Sequence, residues 1–511
     1  MISALRFYWV VTATGAVIMA LEILSSRMLA PHFGNSVYVW GSIISVFLAS
    51  LSIGYYWGGR LADRFPSLPD LGRLVLIAAG FEVALLAAGS RPVAFFADLT
   101  GASPLGTLLT TTLLFGPASL LLGTVSPYAV RLAARELGDL GRTAGRLFAL
   151  STMGSLVGTL LCTFVLIPNL EVRHVMAILV LATTSCAIAA IWGGGWRQPF
   201  AMTLAGLLLG AGIAGLLAEP SREAGLLYMR STPYQTLRVD EVGGIRYLRG
   251  DGVLQSAIQL ADGSPALAYL RHTHGALLWN DRIASVLVLG MGGGSFAHEL
   301  RKVEPGLEAD YVDIDPVIPE IAEQYFLFAE SDVDRVHVSD GRQFLRRAGD
   351  QRWDYVFVDA YIGLSVPFHM TTLEFFELVH DHLADNGVLG INLAAGLEDP
   401  FSLAVFRTVS ERFAQTTPIA VRGAGNVLLF AAKTARASSR EALLERAAEL
   451  DGRFSVEPPL TSIAGRRIAS EVDISDAILL TDAFAPADHL IALGNADLDL
   501  LGVTAAEEGG R

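Results

Sequence analysis

The stretch Ala284-Ser285-Val286-Leu287-Val288-Leu289-Gly290-Met291-Gly292-Gly293-Gly294-Ser295 decides how the second half of this 511-residue chain folds. A short apolar run without a polar break predicts a strand buried on both faces, as in a parallel sheet. The glycines that end it let the backbone turn tightly, approach a ligand and start a helix at once. Working outward, strand patterns at Ala309–Ile314, Val336–Val338, Tyr355–Val358 and Gly387–Asn392 alternate with helical ones. Such alternation predicts a doubly wound α/β sheet that binds ligands at the carboxyl ends of its strands.

Those ends carry acids. The second strand closes on Val312-Asp313-Ile314-Asp315, about 20 residues beyond the glycines, where an acid typically accepts hydrogen bonds from ribose hydroxyls. The third ends in Ser339-Asp340-Gly341 and the fourth in Val358-Asp359-Ala360. Acids at three successive strand ends are a poor match for a merely solvated surface. Asp315 reads equally well as the cap of the following helix. In front of this domain, Thr236–Val239, Ile245–Leu248 and Ser256–Leu260 alternate, with turn signals at Gly243-Gly244 and Asp262-Gly263, and predict a small β-hairpin region.

The first 220 residues are different. Charged residues make up 17% of the chain, against about 25% in ordinary soluble proteins, and the deficit lies almost wholly here. Seven stretches approach the length of about 20 apolar residues that a bilayer crossing needs: Phe7–Ala30, Val37–Trp57, Leu71–Ala88, Gly106–Val125, Thr143–Ile167, Val175–Trp192 and Phe200–Leu217. Gly54–Gly58, Gly154–Gly158 and Gly206–Gly210 have the spacing that allows close helix approach, though any one pair reads as the ordinary glycine content of membrane helices. Glu22, Arg27 and Glu82 fall inside the spans, where such residues usually face the bundle interior or a watery cavity, though Arg27 reads equally as an interface residue that snorkels. Gly58-Gly59-Arg60-Leu61-Ala62-Asp63-Arg64, read as a loop after the second span, resembles the short loop between the second and third helices of major facilitator transporters.

Arginines favour one set of ends. With a cytoplasmic N-terminus, the inside segments hold Arg6, Arg60, Arg64, Arg73, Arg131, Arg135, Arg142, Arg146 and Arg197, and the outside ones Arg27, Arg91 and Arg173. Seven spans then leave the second half outside, and the sequence does not settle whether one span is miscounted, the rule fails or the catalytic domain is external. The expected location is a bacterial inner membrane, with the lipid bilayer as partner and homo-oligomerisation left open. A net charge of −14 without a basic stripe argues against nucleic acid as a partner. Cys162 and Cys186 both lie in apolar stretches and read as packing residues, so no metal site is expected.

Taken in order, Pro233-Tyr234-Gln235, Asp251-Gly252-Val253-Leu254-Gln255, Tyr269, the glycine loop, Asp313, Asp340-Gly341 and Asp359 resemble the spermidine synthase family, in its membrane-fused form. The resemblance covers roughly 228–392 and implies a Rossmann-like, methyltransferase-type fold. It further implies S-adenosylmethionine or its decarboxylated form as a small-molecule substrate, with aminopropyl transfer to an amine and release of methylthioadenosine. By the same resemblance Gln235, Gln255, Gly290, Gly292, Gly294, Asp313, Asp340 and Gly341 would line the cofactor site, with Asp313 on the ribose and Asp340 on the adenine amino group. Asp359 would be the base, with Tyr269 beside it. Leu480-Thr481-Asp482-Ala483-Phe484-Ala485-Pro486-Ala487-Asp488 resembles a closing segment of membrane-fused members.

The departures concern the amine. The family's glycine loop has an aspartate where this chain has Gly293, a second acid where it has Ile362, and a His-Glu pair where it has Leu270-Arg271. A diammonium acceptor needs carboxylates to replace its hydration. Glu374, His369, Glu398 and Asp399 are the nearby substitutes. Without them, attack by the cofactor's own amine or carboxylate within the molecule is an alternative, and a methyltransferase, or a transporter or sensor with a nucleoside-binding domain, are others. The expected division is 1–220, 228–283, 284–435 and a C-terminal extension, 436–511.

Overall fold

The computed structural model describes residues 2–100, 103–134, 140–192, 198–217, 225–360, 366–423, 425–435, 439–468 and 472–500. Arg135, Arg197 and Ile362 lie outside these. The chain divides into two compact units, Met1–Arg222 with Arg230–Gln235, and Glu223–Met229 with Thr236–Arg511.

The first unit is helical. Among the described residues, six of its helices are long and apolar enough to cross a membrane: Leu5–Phe33, Val37–Arg64, Leu68–Ala88, Leu140–Asn169, Val172–Ile191 and Phe200–Leu217. A seventh candidate, Pro104–Leu114 with Gly116–Ala133, is bent by 51° instead of forming the straight span read at Gly106–Val125. The bend falls at Phe115-Gly116-Pro117, where proline removes a donor and crowds the preceding turn. The segment Gly58–Arg64 is not a loop; it completes the helix Val37–Arg64. Basic side chains do not break a helix, and this one stops at Phe65, whose backbone φ is −134°, because Pro66 follows.

Two of the three glycine pairs are packing surfaces and not incidental composition. A Cβ on Gly54 would sit 2.3 Å from the Leu120 carbonyl oxygen, and one on Gly158 would sit 2.2 Å from that of Ala16. Helix backbones therefore touch at these points, which is how dispersion holds helices together in lipid. Gly206 and Gly210 face open space. Glu82 is fully buried and accepts a hydrogen bond from Thr183 at 3.0 Å, whereas Glu22 is half-buried.

The second unit begins with four antiparallel strands in the order β1-β2-β3-β4: β1 (Leu226–Ser231), β2 (Thr236–Val242), β3 (Ile245–Gly250) and β4 (Val253–Gln259). The β3–β4 turn uses Asp251 at φ 47°, whose carboxylate accepts from the Thr236 N–H at 2.8 Å, so Asp251-Gly252 serves the hairpin's geometry. The main sheet comprises β5 (Ser285–Leu289), β6 (Glu308–Asp313), β7 (Asp334–Val338), β8 (Trp353–Val358), β9 (Leu383–Leu393), β10 (Gln415–Ala420) and β11 (Val427–Ala432). Its order is β10-β11-β9-β8-β5-β6-β7. Strands β5 to β9 are parallel; β11 and β10 are antiparallel additions. The sequence reading lacked this last pair. Strand β10 opens Gln415-Thr416-Thr417-Pro418, a weak signal, and its proline is tolerated because the strand is an edge.

On β5, Val286 and Val288 enter one core, while Leu287 and Leu289 enter another on the opposite face. That is why the run is uninterruptedly apolar. Residues after 439 supply both cores, through Leu443, Ala447 and Ile463 on one face and Leu480 and Leu490 on the other.

Candidate functional site

After β7 the chain crosses back to lay β8 beside β5, so the strand order reverses between them. Ligands of doubly wound sheets bind at this switch point. Here the glycine loop meets Asp359. Gly290, at φ 102°, lies so close to β8 that a Cβ would stand 2.1 Å from the Asp359 carbonyl oxygen. Gly292 and Gly294 also have positive φ, at 52° and 71°.

Asp313, at the end of β6, folds back under the loop. Its Oδ2 accepts from the Met291 N–H at 3.1 Å and its Oδ1 from the Asp315 N–H at 3.0 Å. Burial pushes its carboxyl up to about 6, against the pull of these backbone donors. Asp315 has the capping role: its carboxylate takes the Val317 N–H at 3.1 Å.

Asp340 and Asp359 end β7 and β8 in contrasting surroundings. Asp340 caps the helix Gly341–Arg347 through the Gln343 N–H at 2.9 Å, and its other oxygen meets His369 Nε2 at 2.8 Å. The His369 hydrogen bond holds it below the usual carboxylate range. Asp359 has neutral partners: the Tyr269 hydroxyl donates to Oδ2 at 2.7 Å and Asn392 Nδ2 to Oδ1 at 2.9 Å. Burial raises its pKa, and these two bonds offset that only in part. Asn426 donates to Asn392 Oδ1 at 2.8 Å and fixes the amide.

The sequence reading missed the Asn392–Asn426 relay. Asn392 was visible as the last residue of a strand pattern, but Asn426 reaches it only through the β11 hairpin. Arg342 was missed as well. Its guanidinium grips Asp482 through two bonds of 2.6 Å and donates to the His369 carbonyl at 3.0 Å, while Thr372 adds a 2.8 Å bond to Asp482. The segment around Leu480-Thr481-Asp482 is thereby fastened beside the Asp340–His369 pair.

Gln255 lies on β4, whose Gln255-Ser256 backs onto the glycine loop: a Cβ on Gly292 would lie 3.8 Å from the Gln255 carbonyl oxygen. Gly341 opens its helix close against Met370. Gln235 is buried in the Thr232–Gln235 turn, a segment grouped with the first unit.

The departures are built into the packing. A Cβ on Gly293 would come within 2.6 Å of Ser256 Oγ and 2.8 Å of the Phe326 ring, and both residues are buried. Leu270 is core. Of the substitutes, His369 is engaged by Asp340, Glu374 accepts from the Asp482 N–H at 2.9 Å, and Asp399 caps the helix Pro400–Arg412. Glu398 lines an open cavity of about 420 Å³ together with Asn426. Among the described residues no cluster of three metal-ligating side chains occurs.

The spermine/spermidine synthase domain family matches residues 271–421. The polyamine aminopropyltransferase of Vibrio vulnificus is 34% identical over 234 residues, covering 43% of this chain and 75% of that protein. The chain belongs to the spermine/spermidine synthase family. It is accordingly a transferase. The polyamine aminopropyltransferase of Oceanobacillus iheyensis, 24% identical over 443 residues, covers 80% of this family member and 81% of its own length, an alignment longer than the second unit alone. A probable spermidine synthase from Corynebacterium glutamicum is similar in structure at 20% identity and a TM-score of 0.41, covering 52% of this chain and 99% of that one.

Proposed function

We propose that the second unit transfers an alkyl group, the aminopropyl group of decarboxylated S-adenosylmethionine or its carboxylated counterpart, from the sulfonium to an amine, releasing methylthioadenosine. The reading rests above all on Asp359: a buried carboxylate at the switch point, with raised pKa, aimed by Tyr269 and Asn392. A sulfonium carbon is already electrophilic, so the protein needs only to hold a deprotonated amine in line and exclude water. Asp359 takes the proton that the attacking nitrogen loses as the C–N bond forms and the C–S bond breaks. Asp313 suits the ribose hydroxyls, which would donate to its ionised form, and Asp340 suits the adenine amino group; each oxygen of Asp340 keeps a lone pair beyond its present bond. The glycine loop, with Gln255 behind it, would carry the rest of the nucleoside, and no metal is required by this chemistry. The unit would work at a bacterial inner membrane held by its helices.

The acceptor is not the family's usual diammonium, because the loop acid has neither a residue nor room at Gly293. Glu398, in the cavity that shares Asn426 with the Asp359 relay, is the carboxylate best suited to an amine. The crowding at Gly293 also favours a second reading, in which the cofactor's own amine or carboxylate attacks and no separate acceptor binds. Mass spectrometry of products from the purified full chain decides between them. With S-adenosylmethionine or its decarboxylated form plus an amine, alkylated amine and methylthioadenosine are expected. Methylthioadenosine without any amine supports the intramolecular reading, and no methylthioadenosine under any condition overturns both.

A further inference from the structure

We infer that the second unit and its nucleoside site work on the side of the membrane opposite the cytoplasm. This rests on reading the first unit as membrane-spanning, and not on the chemistry proposed above.

Contacts fix the direction of each crossing. Val37–Arg64 and the bent pair run the same way: Gly54 lies against Leu120, Gly58 against Thr124, and Asp63 pairs with Arg131 at 2.8 Å. The bent pair is therefore a full crossing and not a re-entrant loop. Leu5–Phe33 and Leu140–Asn169 also run together, with Gly154 on Thr12 and Gly158 on Ala16. Leu68–Ala88 runs against Val172–Ile191, since Gly72 meets Ile191 while Glu82 meets Thr183. Phe200–Leu217 runs against Val172–Ile191 in turn, with Gly212 on Leu181 and Gly215 near Ala177. These directions alternate along the chain and make seven crossings.

An odd number sends the residues after Leu217 out at the end opposite the N-terminus. The N-terminal end collects Arg6, Arg60, Arg64, Arg73, Arg131, Arg142 and Arg146, and the other end Arg27, Arg91 and Arg173, with Arg222 and Arg230 following the last crossing; the chain has no lysine before Lys302. Tertiary contacts support the grouping. Arg6 donates to the Trp192 carbonyl, Arg146 stands over Tyr8, and Tyr128 bonds the Phe65 carbonyl. Arginine-rich ends stay in the cytoplasm. Residues 218–224 include Glu219, Arg222 and Glu223 and are too few and too polar to cross back. The conflict left by the sequence thus resolves without a miscount. On the chemistry proposed above, which the sidedness itself does not need, the substrate is a sulfonium nucleoside with a fixed charge that does not cross a bilayer unaided, so its supply to the site would require a transport step.

The full chain in spheroplasts tests this with a membrane-impermeant maleimide. Asp350 and Gly141 are exposed, and a Cβ at Gly141 meets nothing. The natural Cys162 and Cys186 are buried and should leave the unsubstituted chain unlabelled. Asp350→Cys should label in intact spheroplasts at least tenfold more than Gly141→Cys, which should label fully only after permeabilisation. The reverse pattern, or labelling of both only after permeabilisation, overturns the inference. Equal labelling of both in intact spheroplasts, with the protein extracted by carbonate, overturns the membrane reading itself. None of these readouts depends on catalysis.

Discussion

Asp340 and Asp359 follow strands β7 and β8, consecutive in the chain but separated in the sheet by β5 and β6, and their surroundings push their pKa values apart. Asp340 faces His369 and the first turn of a helix, groups that favour its charged form. Asp359 faces a phenol and an amide in a buried place, and burial disfavours its charge. In the proposed reaction, two carboxylates separated this way would divide the labour. The one that stays ionised suits binding, and the one with raised affinity for a proton suits proton transfer. Four experiments can break or sharpen that division.

The largest effect is expected from Asp359→Asn. Loss of a positioned base costs about 10²–10⁴-fold in turnover, with nucleoside affinity within a few-fold of the unsubstituted chain. Single-turnover product formation and calorimetric binding measure the two halves separately, and a parallel loss of affinity would merge the two roles. Asp340→Asn should do the reverse, weakening nucleoside binding by about tenfold while turnover at saturation changes little. It also trades one helix-capping side chain for another, so stability should hold.

The third experiment is a pH series on nucleoside affinity. Asp313 titrates at about 6 in the free protein, raised by burial. Only its ionised form accepts from both ribose hydroxyls, so affinity should rise with pH up to about 6 and level off above it. The same sign makes ionisation of Asp313 a cost to the folded state as pH rises from the usual carboxylate range to that value. An affinity that falls across this interval would remove Asp313 from the ribose. Tyr269→Phe is expected to have the smallest effect, about a tenfold loss of turnover at most, with the acid limb of the rate profile moving to higher pH, because Asp359 loses a donor that favours its charge. An unmoved limb would assign the profile to another group.

Much of the second unit was legible in the sequence because buried parallel strands are apolar on both faces and their ends are marked by glycine and aspartate. The run at 284–295 carried the central strand, and Asp313, Asp340 and Asp359 could be singled out from their offsets alone. The partners of Asp359 could not. Tyr269 and Asn392 are separated from it by 90 and 33 residues; Asn392 meets it because the sheet lays β9 beside β8, and Tyr269 because the segment before Leu270–Leu278 packs into the core on one face of that sheet. In the helical unit, hydropathy marked the six helices, and a seventh bent pair, that are long and apolar enough to cross a membrane, since it depends only on local composition. Which glycines are seams depended on the neighbour across the contact, as Gly158 and Gly206 show at identical chemistry. Composition along the chain determined the two halves and the acids at the strand ends. Tertiary structure alone decided which carboxylate is held ionised, why no acid fits at Gly293, and in which direction each helix runs, because burial, pairing and close packing are properties of what surrounds a residue in space.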